Sequence, residues 1–449
     1  MLKTRGSILP APEGGVDLPR RFAEEMGALI GPNFPSDIGL AVSGGGDSMA
    51  MLHLAALWAR VMGVKLWVAT VDHGLRAESV GEAALVAQAC AQMGLPHSTL
   101  KWDGWDGTGN LQAAARQARH SLLNQWRGGV AHILFAHTQD DQAETFLMRL
   151  ARGSGVEGLS GMMASQTIHP PEISVPSLEV ENMPPKLPTR HGCWTVLRPL
   201  LTTTRAELRH YNRVLHVPFV DDPTNEDTSY DRVKARKLLD HLSDLGLSSE
   251  TLARTAGRMS RTREALEARA QSMSDCVLST RYEVQFDRTG FEVLERDTQL
   301  RLLARALQSV ASNPYRPREN ALEALLDRVL SGGDGVLHGG HVLVRRNIIW
   351  VIREFNAVKS LVAQTSPSEI WDKRFRCSGQ NIGSFEVRAV SEEGLIQIDD
   401  LPKEIPRKAL RVTPAIFDGA TLIGCFRLGY GVRYVEEHRA NPPMFGTTS

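Results

Sequence analysis

Gly39 to Leu52 read GLAVSGGGDSMAML. Leu40 to Val42 suit a strand, Met49 to Leu52 open a helical pattern, and three consecutive glycines, Gly44, Gly45 and Gly46, stand between them. Small residues at a strand-to-helix junction let backbone N–H groups close on an anion, and the positive end of the helix dipole adds to the attraction. No Gly-Lys-Ser/Thr follows, so this is not the lysine-bearing phosphate loop. A carboxylate, Asp47, stands there instead, and magnesium held between Asp47 and phosphate oxygens would neutralise the charge. The alternative is a plain tight turn in which Asp47 or Ser48 caps the helix. Placement directly after a first strand favours the phosphate loop.

Outward from this stretch, the chain from Ser36 to about Thr228 alternates short apolar runs with longer amphipathic ones. DIGLAV (Asp37 to Val42), KLWVATV (Lys65 to Val71), HSTLKW (His97 to Trp102), HILFAH (His132 to His137) and WTVLRPL (Trp194 to Leu200) read as strands. Asp47 to Met62, Glu78 to Met93, Asn110 to Trp126 and Gln139 to Arg152 have apolar residues at helical spacing. The alternation predicts an α/β fold: a parallel five-stranded sheet flanked by helices, joined by right-handed crossovers. Ligands of such sheets bind beyond the carboxyl ends of the strands, so chemistry is expected in the loops that follow them. The segment His169 to Arg190 holds six prolines in 22 residues and reads as an exposed loop insertion.

After Tyr230 the pattern changes. Asp231 to Ser272 and Asp297 to Leu330 read as helical, and Gly335 to Glu354 as a hairpin around Gly339-Gly340 with further strand pattern beyond it. From about Trp371 the apolar runs are short and divided by Gly and Pro. The expected organisation is an N-terminal extension (1–35), an α/β domain (36–229, with the Pro-rich insertion at 169–190), a mostly helical domain (230–356) and a small strand-rich domain (357–449).

Composition narrows the class. At roughly 150 residues per domain, 449 residues allow two to four domains, each able to bury a core. The 51 basic and 51 acidic residues cancel, which argues against a histone-like binder yet permits a local basic surface. Five scattered cysteines without a CxxC pair suit a reducing cytoplasm. The start lacks an apolar segment of signal-peptide length, and no stretch reaches the roughly 18 apolar residues of a membrane helix, so a soluble, cytoplasmic protein is expected and no membrane partner.

Several side chains in these loops carry chemistry. Asp140, Asp141 and Glu144 lie at one helix start, with Asp140 and Glu144 on the same face; they could hold a cation or merely complement the helix dipole. His73 and His137 each end a strand, as does Arg198 before a proline. Arg116 and Arg119 are three apart on a helix and could reach phosphate or remain solvated. In TLARTAGRMSRTR (Thr251 to Arg263), Arg254, Arg258 and Arg261 share one helical face with no acid in the stretch, so they either grip an RNA backbone or are simply solvated. Arg232, Lys234, Arg236 and Lys237 form a second basic cluster at the expected domain junction.

Ser43, Gly44, Gly45, Gly46, Asp47 and Ser48 together resemble the SGGxDS pyrophosphate loop of the ATP pyrophosphatases, which split ATP between the α and β phosphates. Within that superfamily, VDHGLRAES (Val71 to Ser79), NLQAAARQARH (Asn110 to His120) and AHTQDDQAETFLMRLARGSGVEGLSGM (Ala136 to Met162) are similar to stretches of the tRNA(Ile)-lysidine synthases. LRPLL followed by TRAEL, and DDPTNEDTSYDR (Asp221 to Arg232), complete that family's order, and WDKRF (Trp371 to Phe375) is reminiscent of its terminal region. The resemblance covers about Gly39 to Arg236 closely. It departs at Val233, where the family usually has asparagine, although Arg236 keeps its spacing.

This resemblance implies a ligase that uses ATP and Mg2+ to adenylate the O2 of a wobble cytidine in tRNA(Ile) bearing CAU, after which an amine of free L-lysine displaces AMP. It implies catalytic roles for Asp47, Asp140, Arg116 and Glu144, and ATP contacts from Ser43 to Ser48, His73 and His137. Asp47 would face the metal. Asp140 and Asp141 would meet lysine, Arg119 and Arg198 the phosphate or nucleotide of the adenylated substrate, and Arg232, Arg236, Arg254, Arg258 and Arg261 the RNA. A homodimer is compatible with the resemblance. A thiolase of the same superfamily would need sulfur-carrying cysteines, and amide-forming relatives would not be expected to carry DDPTNEDTSYDR.

Overall fold

The computed structural model describes residues 17–74, 79–102, 105, 107–168, 180–185, 192–220, 231–243, 245–366, 369–378, 385–431 and 435–438. The chain divides into two compact units, residues 1–263 and 264–449.

The first unit holds α1 (Leu18–Ile30), β1 (Asp37–Ala41), α2 (Gly46–Met62), β2 (Lys65–Asp72), α3 (Ser79–Met93), β3 (His97–Lys101) and α4 (Leu111–Trp126). There follow β4 (His132–Phe135), α5 (Gln139–Leu150), α6 (Val156–Leu159), β5 (Ser165–Ile168), β6 (Trp194–Leu197), α7 (Arg205–Val214), α8 (Asp231–Ser243) and α9 (Ser249–Gln271), the last running on into the second unit. The sheet order is β3-β2-β1-β4-β6-β5. All five expected strands are present and parallel. A sixth, β5, pairs antiparallel with β6 through Ser165↔Leu197 to Ile168↔Trp194, so the five-stranded sheet of the sequence reading gains an edge strand. Three of the four residues of its text, SQTI, are polar, and it is too short to stand out as a period-two run.

Both sheet faces are covered, as parallel strands require. Successive residues of β2 go to opposite faces: Leu66 and Val68 join the core under α1, α2, α3 and α7, whereas Trp67 and Ala69 join the core under α4. Leu18, Phe22 and Met26, at four-residue spacing on α1, are buried in the first of these cores, and Arg21 donates to Glu207 at 2.7 Å. The stretch 1–35 therefore includes a packed helix. Of the Pro-rich segment, only residues 180–185 are described, and they are docked: Ser98 Oγ donates to the Glu181 carbonyl, and Val180 and Met183 pack on the α4 side.

Strand order reverses between β1 and β4, which neighbour each other while their chain continuations run to opposite sides. Such a switch point opens a crevice beyond the strand ends. The loop after β1 is Val42 to Gly45, and the loop after β4 is Ala136 to Thr138, so the glycine loop and the acidic helix α5 meet at this crevice. On its outer side α5 packs Ala143 and Phe146 against Leu239 of α8 and Leu252 and Ala256 of α9.

The second unit contains β7 (Val277–Ser279), β8 (Glu283–Asp287), α10 (Arg288–Glu292), α11 (Arg296–Ala311), α12 (Glu319–Leu330), β9 (Gly335–Leu337), β10 (Gly340–Arg345) and β11 (Ile348–Arg353). Its first sheet runs β7-β8-β11-β10-β9, antiparallel throughout, with α11 and α12 buried against it. The turn at His338-Gly339 sits where the hairpin was expected. Residues 363–431 add a five-stranded sheet, so the end of the chain is strand-rich as its broken apolar runs imply. WDKRF forms a tight turn there, with Asp372 buried between Arg353 and Arg374.

Candidate active site

The glycine loop is held from below. Gly44 has φ +89°, a left-handed value that favours glycine, and a Cβ there would come within 3.3 Å of the Glu82 carbonyl. The Val220 N–H donates to the Gly44 carbonyl at 3.0 Å, and Asn212 Nδ2, fully buried, donates to the Gly46 carbonyl at 2.8 Å. Ser48 Oγ accepts from the Ser43 N–H and donates to the Gly45 carbonyl, which pins the loop's ends together. Gly45 is the N-cap of α2 and has no side chain to cap it, leaving the first N–H groups of the helix directed at the crevice.

Across the crevice, α5 begins with a capping box in which Thr138 and Asp141 satisfy each other's backbone N–H groups. Asp140 and Asp141 occupy its first turn, and Glu144, completely buried, follows. These carboxylates do converge, and they converge on one cation. Arg205 Nε donates to Asp47 at 3.2 Å, Nη2 to Asp141 at 3.2 Å and Nη1 to Glu144 at 3.4 Å, while its backbone N–H donates to Asp140 at 2.7 Å. Glu144 also accepts from Arg236 Nε at 2.9 Å, and Arg232 lies 3.6 Å away. The site is thus an acidic pocket, partly neutralised by arginine, facing an anion-binding loop.

Burial pushes the Asp47 carboxyl up to about 6; Arg205 pulls it down, but Asp141 and Asp140 oppose that pull. Burial acts upward on Asp141 too, yet Arg232 and Arg205 outweigh it and hold it below the ordinary range. Two neighbouring carboxyls with pKa values driven apart are a common mark of a functional site. For Arg205, the four carboxylates overcome burial and raise its already high value.

His137 is kept neutral, its pKa pushed to about 3 chiefly by burial, and its Nδ1 lies 3.2 Å from Arg198 Nε. Arg198 is itself buried, with its value lowered to about 10; its other donors reach the Met163 carbonyl at 2.7 Å and Gln166 at 2.9 Å. Arg198 therefore fastens β5 and His137 to the sheet edge. His73 is also neutral, at about 4 from burial with Arg119 contributing, and both its ring nitrogens are buried without a hydrogen-bond partner among the described residues. Arg119 is half-buried, its value lowered by burial and by the like charges of Arg116 and Arg232. Guanidiniums that depress one another form a local excess of positive charge suited to a phosphate.

Comparison with known proteins places this geometry. A PP-loop domain family model matches residues 18–242. A tRNA(Ile)-lysidine synthase of Ruegeria pomeroyi is 39% identical over 394 residues, covering 87% of this chain and 88% of its own. The chain belongs to the tRNA(Ile)-lysidine synthase family. A member from Wolbachia pipientis wMel is 33% identical over 77% of both chains. Among solved structures, the U34-tRNA thiolase NcsA from Methanococcus maripaludis with its [4Fe-4S] cluster aligns with a TM-score of 0.41 at 15% identity, covering 54% of this chain and 79% of that one. As a member of the tRNA(Ile)-lysidine synthase family, the chain is an ATP-binding ligase of the PP-loop class.

The structure brings Asp47, Asp140, Asp141, Glu144, Arg232 and Arg236 together with the loop Ser43 to Ser48. Arg116 is exposed on α4, and Arg254, Arg258 and Arg261 are exposed on α9, where Arg254 lies 3.7 Å from Glu250. Val233, at the family's asparagine position, is buried on α8, and Asp221 to Tyr230 fall outside the described residues. Two residues of the site escaped the sequence reading, Arg205 and Asn212. Arg205 had a signal: a cation in the first turn of a helix opposes the dipole, so carboxylates must offset it. Asn212 had none, because a helical asparagine reads as surface until its burial is seen.

Proposed function

We propose that this chain joins free lysine to C2 of the wobble cytidine in tRNA(Ile) with a CAU anticodon, changing codon reading from AUG to AUA. In the first step the cytidine O2 attacks the α-phosphorus of ATP; the new O–P bond forms as the bond to the β-phosphate oxygen breaks. Pyrophosphate departs into the loop Ser43 to Ser48, where N–H groups and the α2 dipole stabilise its charge. In the second step a lysine amine, having given up a proton, forms the C–N bond at C2 as the C–O bond breaks and AMP leaves.

Positioning and charge neutralisation supply most of what these steps require. Asp140 receives the lysine ammonium with Glu144 beside it, and a carboxylate of this cluster takes the proton that must leave before attack. Arg116, Arg119 and His73, which influence one another electrostatically, would contact the adenylate's phosphate. Magnesium fits the residues present: Asp47 offers one hard oxygen at the phosphate loop, the remaining ligands being phosphate oxygens and water. Bound there, the ion would offset phosphate charge. The exposed arginines of α9 meet the RNA backbone.

The observation that carries this reading is Arg205, a cation seated among four carboxylates opposite an anion loop. A pocket that accepts a guanidinium suits the ammonium of lysine. The test uses α-labelled ATP and transcribed tRNA. AMP formation should require the RNA and vanish in Asp47→Ala, while Asp140→Ala should keep ATP binding and raise the lysine KM about tenfold or more. Normal lysine saturation in Asp140→Ala would refute that role.

A further inference from the structure

A cavity of about 410 Å³ borders the glycine loop, lined by Arg209, Asn212, Arg213, His216, Val217 and Phe219. None of these lining residues is acidic. Arg209, Arg213 and His216 are exposed, whereas Asn212 is completely buried at the floor. The floor is also the underside of the loop. Asn212 Nδ2 donates to the Gly46 carbonyl, and a Cβ on Gly46 would come within 3.3 Å of the Phe219 ring. Asn212 Oδ1 is left without a partner among the described residues.

The sequence of α7 joins this cavity to the reaction site. Arg205, Arg209 and Arg213 recur every four residues, so they follow one gently spiralling stripe about 12 Å long. Arg205 ends among the carboxylates, and the other two line the cavity. An RNA strand whose reacting base sits at Arg205 has its backbone within reach of that stripe. We propose that the cavity binds a backbone phosphate of the RNA substrate next to the modified nucleotide, with Arg213 and Arg209 on the phosphate oxygens and Phe219 against the adjoining nucleoside. This rests on the RNA-modifying function proposed above. It adds a phosphate site that touches the glycine loop through Asn212.

The test measures RNA affinity at several salt concentrations for the full-length wild type, Arg213→Ala and Arg213→Lys, with a CAU tRNA(Ile) transcript and an unrelated tRNA. Backbone contacts carry no sequence information, so Arg213→Ala should weaken both RNAs by about fivefold and make the slope of log K against log salt shallower by about 0.7–1. Arg213→Lys should restore most of both, and equal melting temperatures would show that all three proteins are folded. Unchanged affinity and slope in Arg213→Ala would overturn the proposal, as would a raised ATP KM at unaltered RNA affinity, which would make the cavity part of the nucleotide site. Wild-type protein that binds neither RNA would overturn it too. Slope changes with no lysine transfer would leave the phosphate site standing and remove the proposed function alone.

Discussion

Arg205 neutralises Asp47, Asp141 and Glu144 at once, and its own side chain is largely buried. Replacing it by methionine removes the counter-charge while keeping the volume, and a buried carboxylate stripped of its partner is strongly destabilising. Arg205→Met should lower stability by about 3 kcal/mol and raise the Asp47 pKa further, checked by thermal melts and by titration of ATP binding. In the wild type Asp47 titrates near 6, above the ordinary carboxylate value. Relative to an exposed carboxyl the folded site favours the protonated acid, and the charged form that the proposed reaction needs fills only as pH rises through about 6. AMP formation and ATP binding by the wild type should both fall as pH drops below that point, and the pH profile of ATP binding by Asp47→Asn should lack the break. Placement after predicted strands made Asp47, Asp140 and Glu144 candidates for the strand-end crevice, but spacing alone left a capping or helix-dipole role open, and the family resemblance is what favoured a site. That they share an arginine was not legible, because the partner comes from TRAEL, far along the chain.

The turn from β1 into α2 depends on a backbone shape that few residues tolerate. Gly44→Ala meets both a left-handed φ and the Glu82 carbonyl, so it should cost about 1–2 kcal/mol and weaken ATP binding several-fold, measured by denaturant unfolding and calorimetric titration. The parallel strands were readable because each is an apolar run that both sheet faces bury. β5 was hidden because an edge strand needs only one apolar side. α1 carries a clear stripe in Leu18, Phe22 and Met26, but proline and glycine in the preceding segment direct attention to a loop. β7 is three residues long, too brief for periodicity to separate from a turn. The run Asp231 to Ser272 read as one helical stretch and is two helices, α8 and α9.

For the whole molecule, acid sensitivity follows from histidines kept neutral inside the first unit. His73, His97 and His120 have values lowered to about 4 and His137 to about 3, each chiefly by burial. The unfolded chain binds their protons near 6.5, before the native state does, so their stabilising effect is present above that value and is lost as pH falls toward 4. Asp47 acts in the opposite direction between about 4 and 6, but it is one group against four. Melting temperature should therefore decline steadily below pH 6.5; a flat profile down to pH 4.5 would contradict the neutral burial of these rings. No helix among the described residues is long and apolar enough to cross a membrane.

The central claim is that an acidic pocket facing a pyrophosphate loop delivers lysine to an RNA base. The most direct test is incorporation of radiolabelled lysine into a tRNA(Ile) transcript bearing CAU, with ATP and magnesium, beside a transcript whose wobble cytidine is changed to uridine. Label in the first transcript alone is the predicted result. AMP release without label in either would contradict lysine as the nucleophile while leaving the adenylating loop in place.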